Sequence, residues 1–334
     1  MTNVLVSHAD EPLGRRIVKT LFHDPDVGVI LAVGSGPAPR AFDRFLAGSP
    51  PRLLYARGEL AKHRPAADLF RSTRFRDAAI DSVVHVPAHG AAAGGARRVA
   101  GLPARTAETR IVLQQCLESP RVRSLVAIGS AFAYRLAPGN SNVLHESSEL
   151  DLDPGVPAEI RSWIDCDMLL HGEAQSAALR VVLLRVPTVV ASGGFVFLNP
   201  WLEGRPGPRV RPLGFDPLCA VVADKDVARA VGLALRSRVR GVFNVAGGEA
   251  VPLSLLARWT GRSAWPLPSP AIGLVEAALG ALRGEPAARR LPPLRYGFTL
   301  DGKRAEEGLG FRPAYRVGMA RAGDGRLRLE TSAV

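Results

Sequence analysis

At 334 residues, 47% of them hydrophobic, the chain is long enough for one large α/β domain or a main domain with a smaller lobe. Its formal charge of +12 comes almost entirely from arginine, since Lys19, Lys62, Lys225 and Lys303 are the only lysines. The basic clusters are Arg121-Val122-Arg123, Arg236 to Arg240 and Arg289-Arg290; they are short and lack interleaved aromatics, which argues for scattered charge and against a nucleic-acid binder. Cys116, Cys166 and Cys219 are far apart and suit neither a disulfide framework nor a zinc site, so they read as reduced thiols of a cytoplasmic protein. The N-terminus runs straight into a strand with no leader pattern. The longest apolar stretch, Ala271 to Leu282, contains Glu276 and is too short to span a bilayer; it reads as a buried or partner-facing helix, with a membrane-surface role as the alternative.

Strand and helix patterns alternate along the chain, which predicts an α/β fold with a doubly wound parallel sheet. Val4 to Val6 is the first strand and Gly14 to Phe22 the first helix. Val27 to Val33, Leu53 to Tyr55 and Ser82 to Val86 are the next strands. A helix over Thr106 to Leu117 leads to a fifth strand, Ser124 to Ile128, which ends at Gly129-Ser130. The polar loop from Leu136 to Pro157 carries Glu146, Glu149, Asp151 and Asp153 and reads as a solvated lid or turn. A helix over Ile160 to Ala178 and a strand over Val181 to Val186 follow. Dense glycine and proline from Ser192 to Pro217 mark the entry to a smaller C-terminal lobe. Asp226 to Leu235 is helical, Val242 to Val245 is a strand, and Pro252 to Thr260 is helical. The expected division is a Rossmann-like domain over residues 1–191, a smaller substrate lobe over 192–320, and a flexible tail over 321–334. The strand near 242–245 is expected to rejoin the core.

Several short runs resemble one family when taken in order. Val83 to Ala88 is similar to a "VVHLAA" strand end, and Ala127 to Tyr134 to "SSxxxY". Leu184-Arg185-Val186-Pro187 is similar to "LRP", Ala223 to Ala228 to "VDDVA", Gly241 to Val245 to "GxFNV", and Leu309 to Pro313 to "LGWxP". Over residues 3 to 316 the chain thus resembles the extended short-chain dehydrogenases/reductases, the NAD-dependent epimerase/dehydratase family, in a divergent UDP-glucose-epimerase-like form. The resemblance implies a Rossmann-like domain, NAD or NADP, a nucleotide-sugar or other hydroxyl/carbonyl ligand, and a homodimer paired through the helices around 106–117 and 160–178. It implies cofactor contacts at Ser7, His8, Glu11, Leu13, Gly14, Gly34, Val86, Ala88 and Pro187. It implies catalytic positions at Ser130, Trp163 and Asp167.

The departures fall on the chemistry. The family writes TGxxGxxG where this chain writes Ser7 to Gly14, so His8 and Glu11 replace glycines and only Gly14 remains. Pro12 removes a donor from the anion site, and Glu11 places negative charge near phosphate. The acidic residue that ends the second strand in NAD enzymes is Gly34 here. Arg40 and Arg44 are candidates for a 2′-phosphate contact or, preferably, for solvent-facing charge. The family's asparagine and glycine-threonine pair appear as Arg105 and Glu108-Thr109. No tyrosine is followed four residues later by lysine: Tyr55, Tyr134, Tyr296 and Tyr315 lead to Glu59, Pro138, Leu300 and Met319. In register, Trp163 replaces the tyrosine and Asp167 the lysine, so the phenol and the ammonium that tunes it are both gone.

Trp163, Asp167 and His171 share a helical face. Asp167 and His171 read as an acid/base dyad or, preferably, as a surface pair beside a packing tryptophan; Asp165 is a further candidate acid. His85 reads as a satisfied core histidine. Arg185, Arg209, Arg211 and Arg295 are candidates for a phosphate contact. No nucleophile elbow, HExxH pair or phosphate-binding P-loop is present, and no metal site is expected. Three readings follow. The first is a catalytically impaired ligand-binding or regulatory module, the second an atypical active NAD(P)-dependent enzyme, and the third a nucleic-acid or anionic-surface binder supported by charge alone.

Overall fold

The computed structural model describes the chain except for residues 88–96, 138, 140, 175–178, 198–208, 262, 269, 275–295 and 322–326. Ala88, Arg295 and most of the 271–282 stretch lie outside the described residues. The N-terminal half runs β1 (Thr2–Val6), α1 (Pro12–Phe22), β2 (Val27–Gly34), α2 (Asp43–Leu46), β3 (Leu53–Arg57), α3 (His63–Arg71), α4 (Thr73–Asp77), β4 (Ser82–His85) and α5 (Arg97–Glu118). It continues through β5 (Ser124–Ser130), β6 (Val143–Leu144), α6 (Ala158–Glu173), β7 (Arg180–Val186), β8 (Thr188–Ala191), β9 (Gly194–Phe197) and β10 (Arg209–Pro212). Then come β11 (Leu218–Ala223), α7 (Asp224–Arg236), β12 (Gly241–Asn244), β13 (Glu249–Pro252), α8 (Leu253–Trp259) and β14 (Ala264–Leu267). Strand β15 (Thr299–Leu300), α9 (Lys303–Leu309), β16 (Tyr315–Arg321) and β17 (Leu327–Ala333) close the chain.

Seven parallel strands form the main sheet in the order β12-β7-β5-β4-β1-β2-β3. Side-chain alternation divides its core into two layers. Val4, Val6, Val84, Val126, Ile128, Val182 and Leu184 face one way, in a cluster with Ile17 of α1 and Val227 of α7. Leu5, Val83, Leu125, Ala127, Val181 and Leu183 face the other way, with Val112 of α5 and Leu170 of α6. Both faces are covered, which is why the strands read as continuous apolar runs. The result is a Rossmann-like α/β sheet, and strand order reverses between β1 and β4, where such sheets open a crevice at the strands' carboxyl ends.

A second sheet, β13-β11-β8-β9, follows the main one. β12 lies in sequence between β11 and β13 of this second sheet, yet it pairs with β7 at the edge of the main sheet. The tail expected to be flexible contains β17 instead, antiparallel to β16. Period-two burial explains it: Leu329 and Thr331 are buried while Glu330 and Ser332 are exposed, and Gly193 N donates to Leu329 O at 2.8 Å. No helix among the described residues is long and apolar enough to cross a membrane, and all three cysteines are buried and free.

The turn after β1 depends on Gly14. A Cβ there would lie 2.1 Å from the His8 carbonyl oxygen and 2.9 Å from Ala9 Cα. Backbone cannot give way as a side-chain tip can. Gly14→Ala is therefore expected to destabilise the protein by roughly 3 kcal/mol or more, read from urea unfolding midpoints at unchanged slope.

Candidate functional site

The crevice is built at the ends of β1, β4 and β5. Ser7 is fully buried and ties β1 to β4: its hydroxyl accepts from Val86 N at 2.8 Å and lies 3.1 Å from Val86 O and 3.2 Å from His85 Nδ1. His85 Nε2 lies 3.0 Å from Thr109 Oγ1 on α5. His85 is a core histidine with both ring nitrogens partnered. Burial lowers its pKa to about 4; the nearby Glu108 charge opposes this and His8 adds to it.

His8 holds a φ of +46°, the left-handed conformation that the first glycine of such a turn adopts without cost. Its side chain reaches α5, where Nε2 lies 2.6 Å from Glu108 Oε1, and Nδ1 lies 3.8 Å from Glu11 Oε1. Burial works against charging His8, but Glu108 outweighs it with help from Glu11 and Asp10, and the pKa rises to about 9. Burial alone would raise the Glu108 carboxyl; the His8 charge and hydrogen bond hold it below the usual range instead. At neutral pH this is an imidazolium–carboxylate pair.

At the end of β2, Gly34 has no room for a side chain: a Cβ would lie 2.3 Å from Tyr55 Oη and 2.6 Å from the Asp10 carboxyl. Asp10 comes across from the first turn and accepts from Ser35 N at 2.9 Å, Gly36 N at 3.0 Å and Ser35 Oγ at 3.1 Å. Tyr55 donates to Gly36 O at 2.8 Å, and burial together with Asp10 pushes its phenol up to about 12. Arg44 stacks on Phe45, and Arg40 lies on a short helical turn outside this cluster.

The positions expected to be catalytic are engaged in packing. Ser130, at the end of β5, is buried, and its hydroxyl accepts from Phe132 N at 3.1 Å, capping the turn over Ala131–Ala133. Trp163 is buried beneath the Arg105 guanidinium, 4.0 Å from its ring, while Arg105 Nη1 donates to Ser162 Oγ at 2.6 Å. Asp167 is not a surface residue paired with His171: it is 1% exposed, whereas His171 and Asp165 are exposed. Its partner is Arg185, which donates from Nε and Nη2 to the two carboxylate oxygens at 2.7 Å each. Burial opposes the Arg185 charge, but Asp167 more than compensates and holds the guanidinium protonated. Arg185 is therefore not a free phosphate contact. It also donates to Glu146 O at 3.2 Å and lies over the Tyr134 ring.

Glu146 is likewise no solvated lid acid, since its carboxylate accepts from Asn244 N at 2.8 Å. Leu13, Val86 and Pro187 are buried packing residues. A cavity of about 310 Å³ lies elsewhere, between Leu136–Asn142 and Tyr296–Gly297, and none of the residues singled out for the crevice lines it. No group of residues able to hold a metal occurs among the described residues.

No family model matches the chain, and no curated protein matches it in sequence. Solved structures match over nearly its whole length. A UDP-glucose 4-epimerase from Thermotoga maritima, with UDP-glucose, is 17% identical at a TM-score of 0.65, over 94% of each chain. MoeE5 in complex with UDP-glucuronic acid and NAD is 20% identical at 0.63, over 95% of this chain and 94% of that one. A double mutant of the dTDP-glucose 4,6-dehydratase DesIV from Streptomyces venezuelae, with NAD and DAU bound, is 18% identical at 0.63, over 93% and 91%. The chain has the fold of the NAD-dependent epimerases and dehydratases.

In that epimerase-like fold a dinucleotide lays its pyrophosphate on the N-terminus of α1 and its ribose at the end of β2. The residues present here do not suit it. Glu11 is the N-cap of α1 and its N–H is taken by His8 O at 3.0 Å, while Pro12 has no N–H to offer. At the β2 end the N–H groups of Ser35 and Gly36 are held by Asp10 Oδ2, while Asp10 Oδ1 is buried without a hydrogen-bond partner.

Sequence reasoning marked His8, Glu108, Arg105 and Trp163 as replaced positions but missed that they meet in pairs. It missed Asp10 entirely. The one available signal was complementarity: a base and an acid standing at two positions where the family has glycine.

Two outcomes test these contacts. Asp167→Ala leaves Arg185 buried without its carboxylate and is expected to cost about 3–5 kcal/mol in chemical denaturation. The histidines set a pH profile. His8 has a raised folded pKa, so its contribution is full below the unfolded value of 6.5 and is lost as pH rises through about 9. His85 has a lowered one, so its contribution is full above 6.5 and is lost as pH falls towards about 4. Urea midpoints measured at about pH 5, 6.5 and 9 are expected to be highest at the middle value, and His8→Gly is expected to flatten the alkaline limb.

Proposed function

We propose that this protein keeps the epimerase/dehydratase fold without its redox chemistry and acts as a catalytically impaired ligand-binding or regulatory module. The observation that carries this reading is the buried bidentate pair of Asp167 and Arg185. By sequence register Asp167 stands where the family has the lysine that lowers the tyrosine pKa, and here a carboxylate is locked in place by its own arginine. Trp163 stands in the tyrosine register, and its indole N–H donates but does not cycle a proton near neutral pH. Ser130 fits the same reading, because its hydroxyl oxygen caps the turn over Ala131–Ala133.

The ligand class on this reading is a nucleotide sugar, the class named in the solved complexes of this fold. A homodimer through α5 and α6 belongs to the proposal; Leu117 and Met168 are exposed on those helices. Nucleic-acid binding does not. Several arginines are engaged within the fold, as in Arg16 with Asp224, Arg236 with Asp24, and Arg180 with three backbone carbonyls. A cytoplasmic location fits three buried thiols that form no disulfide.

The test pairs an assay with a binding measurement. UDP-glucose, UDP-glucuronic acid and dTDP-glucose are incubated with the protein and NAD or NADP, and product is followed by chromatography. The expected result is no conversion above a protein-free blank, together with a rise in melting temperature on adding at least one nucleotide sugar. Conversion that is abolished by Ser130→Ala would overturn the proposal and install an atypical active enzyme in its place.

A further inference from the structure

Loss of catalysis does not by itself remove the cofactor, because a chain without a catalytic pair can still hold a dinucleotide as a sensor. The crevice at the β1–β4 switch point bears on that separate question. Three carboxylates converge on it from three elements: Asp10 from the turn, Glu11 from the start of α1 and Glu108 from α5. Three cations stand near them. His8 is already paired with Glu108, Arg105 is turned onto Trp163 and Ser162, and Arg57 donates to Ser35 O at 2.9 Å. At the turn itself Glu11 holds a carboxylate beside the helix start where a dinucleotide would bring a doubly charged pyrophosphate, and like charges at a half-buried site repel.

The contacts also obstruct in space. The His8–Glu108 contact of 2.6 Å ties the turn after β1 to α5. Asp10 occupies the N–H groups of Ser35 and Gly36 and the Ser35 hydroxyl, the donors that would receive a 2′-phosphate. Tyr55 and Asp10 fill the space beside Gly34 in which an acidic side chain would face a ribose 2′-hydroxyl. Both forms of the cofactor thus meet a group of this chain already in place.

We propose that the dinucleotide crevice of this protein is shut by its own side chains, with the His8–Glu108 pair as the bar and the Asp10 carboxylate as the plug, so that the protein folds and works without nicotinamide nucleotide.

The experiment is isothermal titration of NAD and of NADP onto three folded proteins: the unaltered chain, Glu108→Gln, and His8→Gly/Glu11→Gly/Glu108→Gln. Glycine at 8 also relieves the positive φ, which favours folding of the triple variant, and Glu108→Gln is isosteric and leaves the backbone alone. Circular dichroism melts establish that each is folded. The unaltered chain is expected to show no heat of binding up to about 5 mM ligand, the triple variant to bind roughly tenfold tighter or better, and Glu108→Gln to lie between them. Submillimolar binding of either dinucleotide by the unaltered chain overturns the proposal. So does a folded Glu108→Gln or triple variant that binds no better than the unaltered chain. Neither outcome touches the catalytic reading, which is decided by turnover.

Discussion

The His8 carbonyl lies so close over Gly14 that no side chain fits between them, and this contact fixes how α1 leaves the sheet. With α1 placed, the ends of β1 and β4 are placed, and the crevice between them takes the shape of a nucleotide-binding turn. The backbone of that turn survives even at His8, which accepts a left-handed conformation in a residue with a Cβ. What has changed is the set of side chains the turn presents. The frame is that of a cofactor-binding fold, and the lining is not.

The changed side chains are not scattered. By the register the resemblance implies, His8 and Glu108 both stand at glycine positions, and they touch each other at 2.6 Å. By the same register Arg105 stands at an asparagine position and Trp163 at a tyrosine position, and the guanidinium lies 4.0 Å from the indole. Asp167, in the register of the lysine, is gripped by Arg185. Each substitution alone would bury a charge or leave a void, and each is answered by another. Buried pairs of this kind add little net stability, because desolvation offsets the attraction, but removing one partner is costly. Once formed, they hold the site in its altered state.

The sheet was legible because continuous apolar runs and short turns are local. β1, β4, β5 and β7 read as apolar runs since both of their faces are covered. The tail was misread for a local reason too: arginines, aspartate and glycines from Arg321 to Arg326 look frayed, and the alternation that builds β17 begins only at Leu327. The site was illegible for the opposite reason. His8 meets Glu108 across 100 positions, and Asp10 reaches Ser35 across 25. No spacing rule joins residues so far apart, so Asp10 drew no attention and Asp167 looked like the exposed acid of a surface helix.

The motifs that made the ancestry readable have a common property. Asp226, in the segment resembling "VDDVA", accepts from Ala314 N and Tyr315 N just past the "LGWxP"-like segment. Asn244, in the "FNV"-like strand, donates to Leu144 O and accepts from the Tyr134 hydroxyl of the "SSxxxY"-like run. Arg185, in the "LRP"-like end, holds Asp167 and Glu146 O. Every one of these residues fastens one part of the backbone to another, and breaking any of them leaves a buried polar group without a partner. On the proposed reading, the positions that differ are those that would face a cofactor or a substrate, and the positions retained are those that face the chain itself. Strong resemblance in such staples is therefore evidence of fold, and it is silent about turnover.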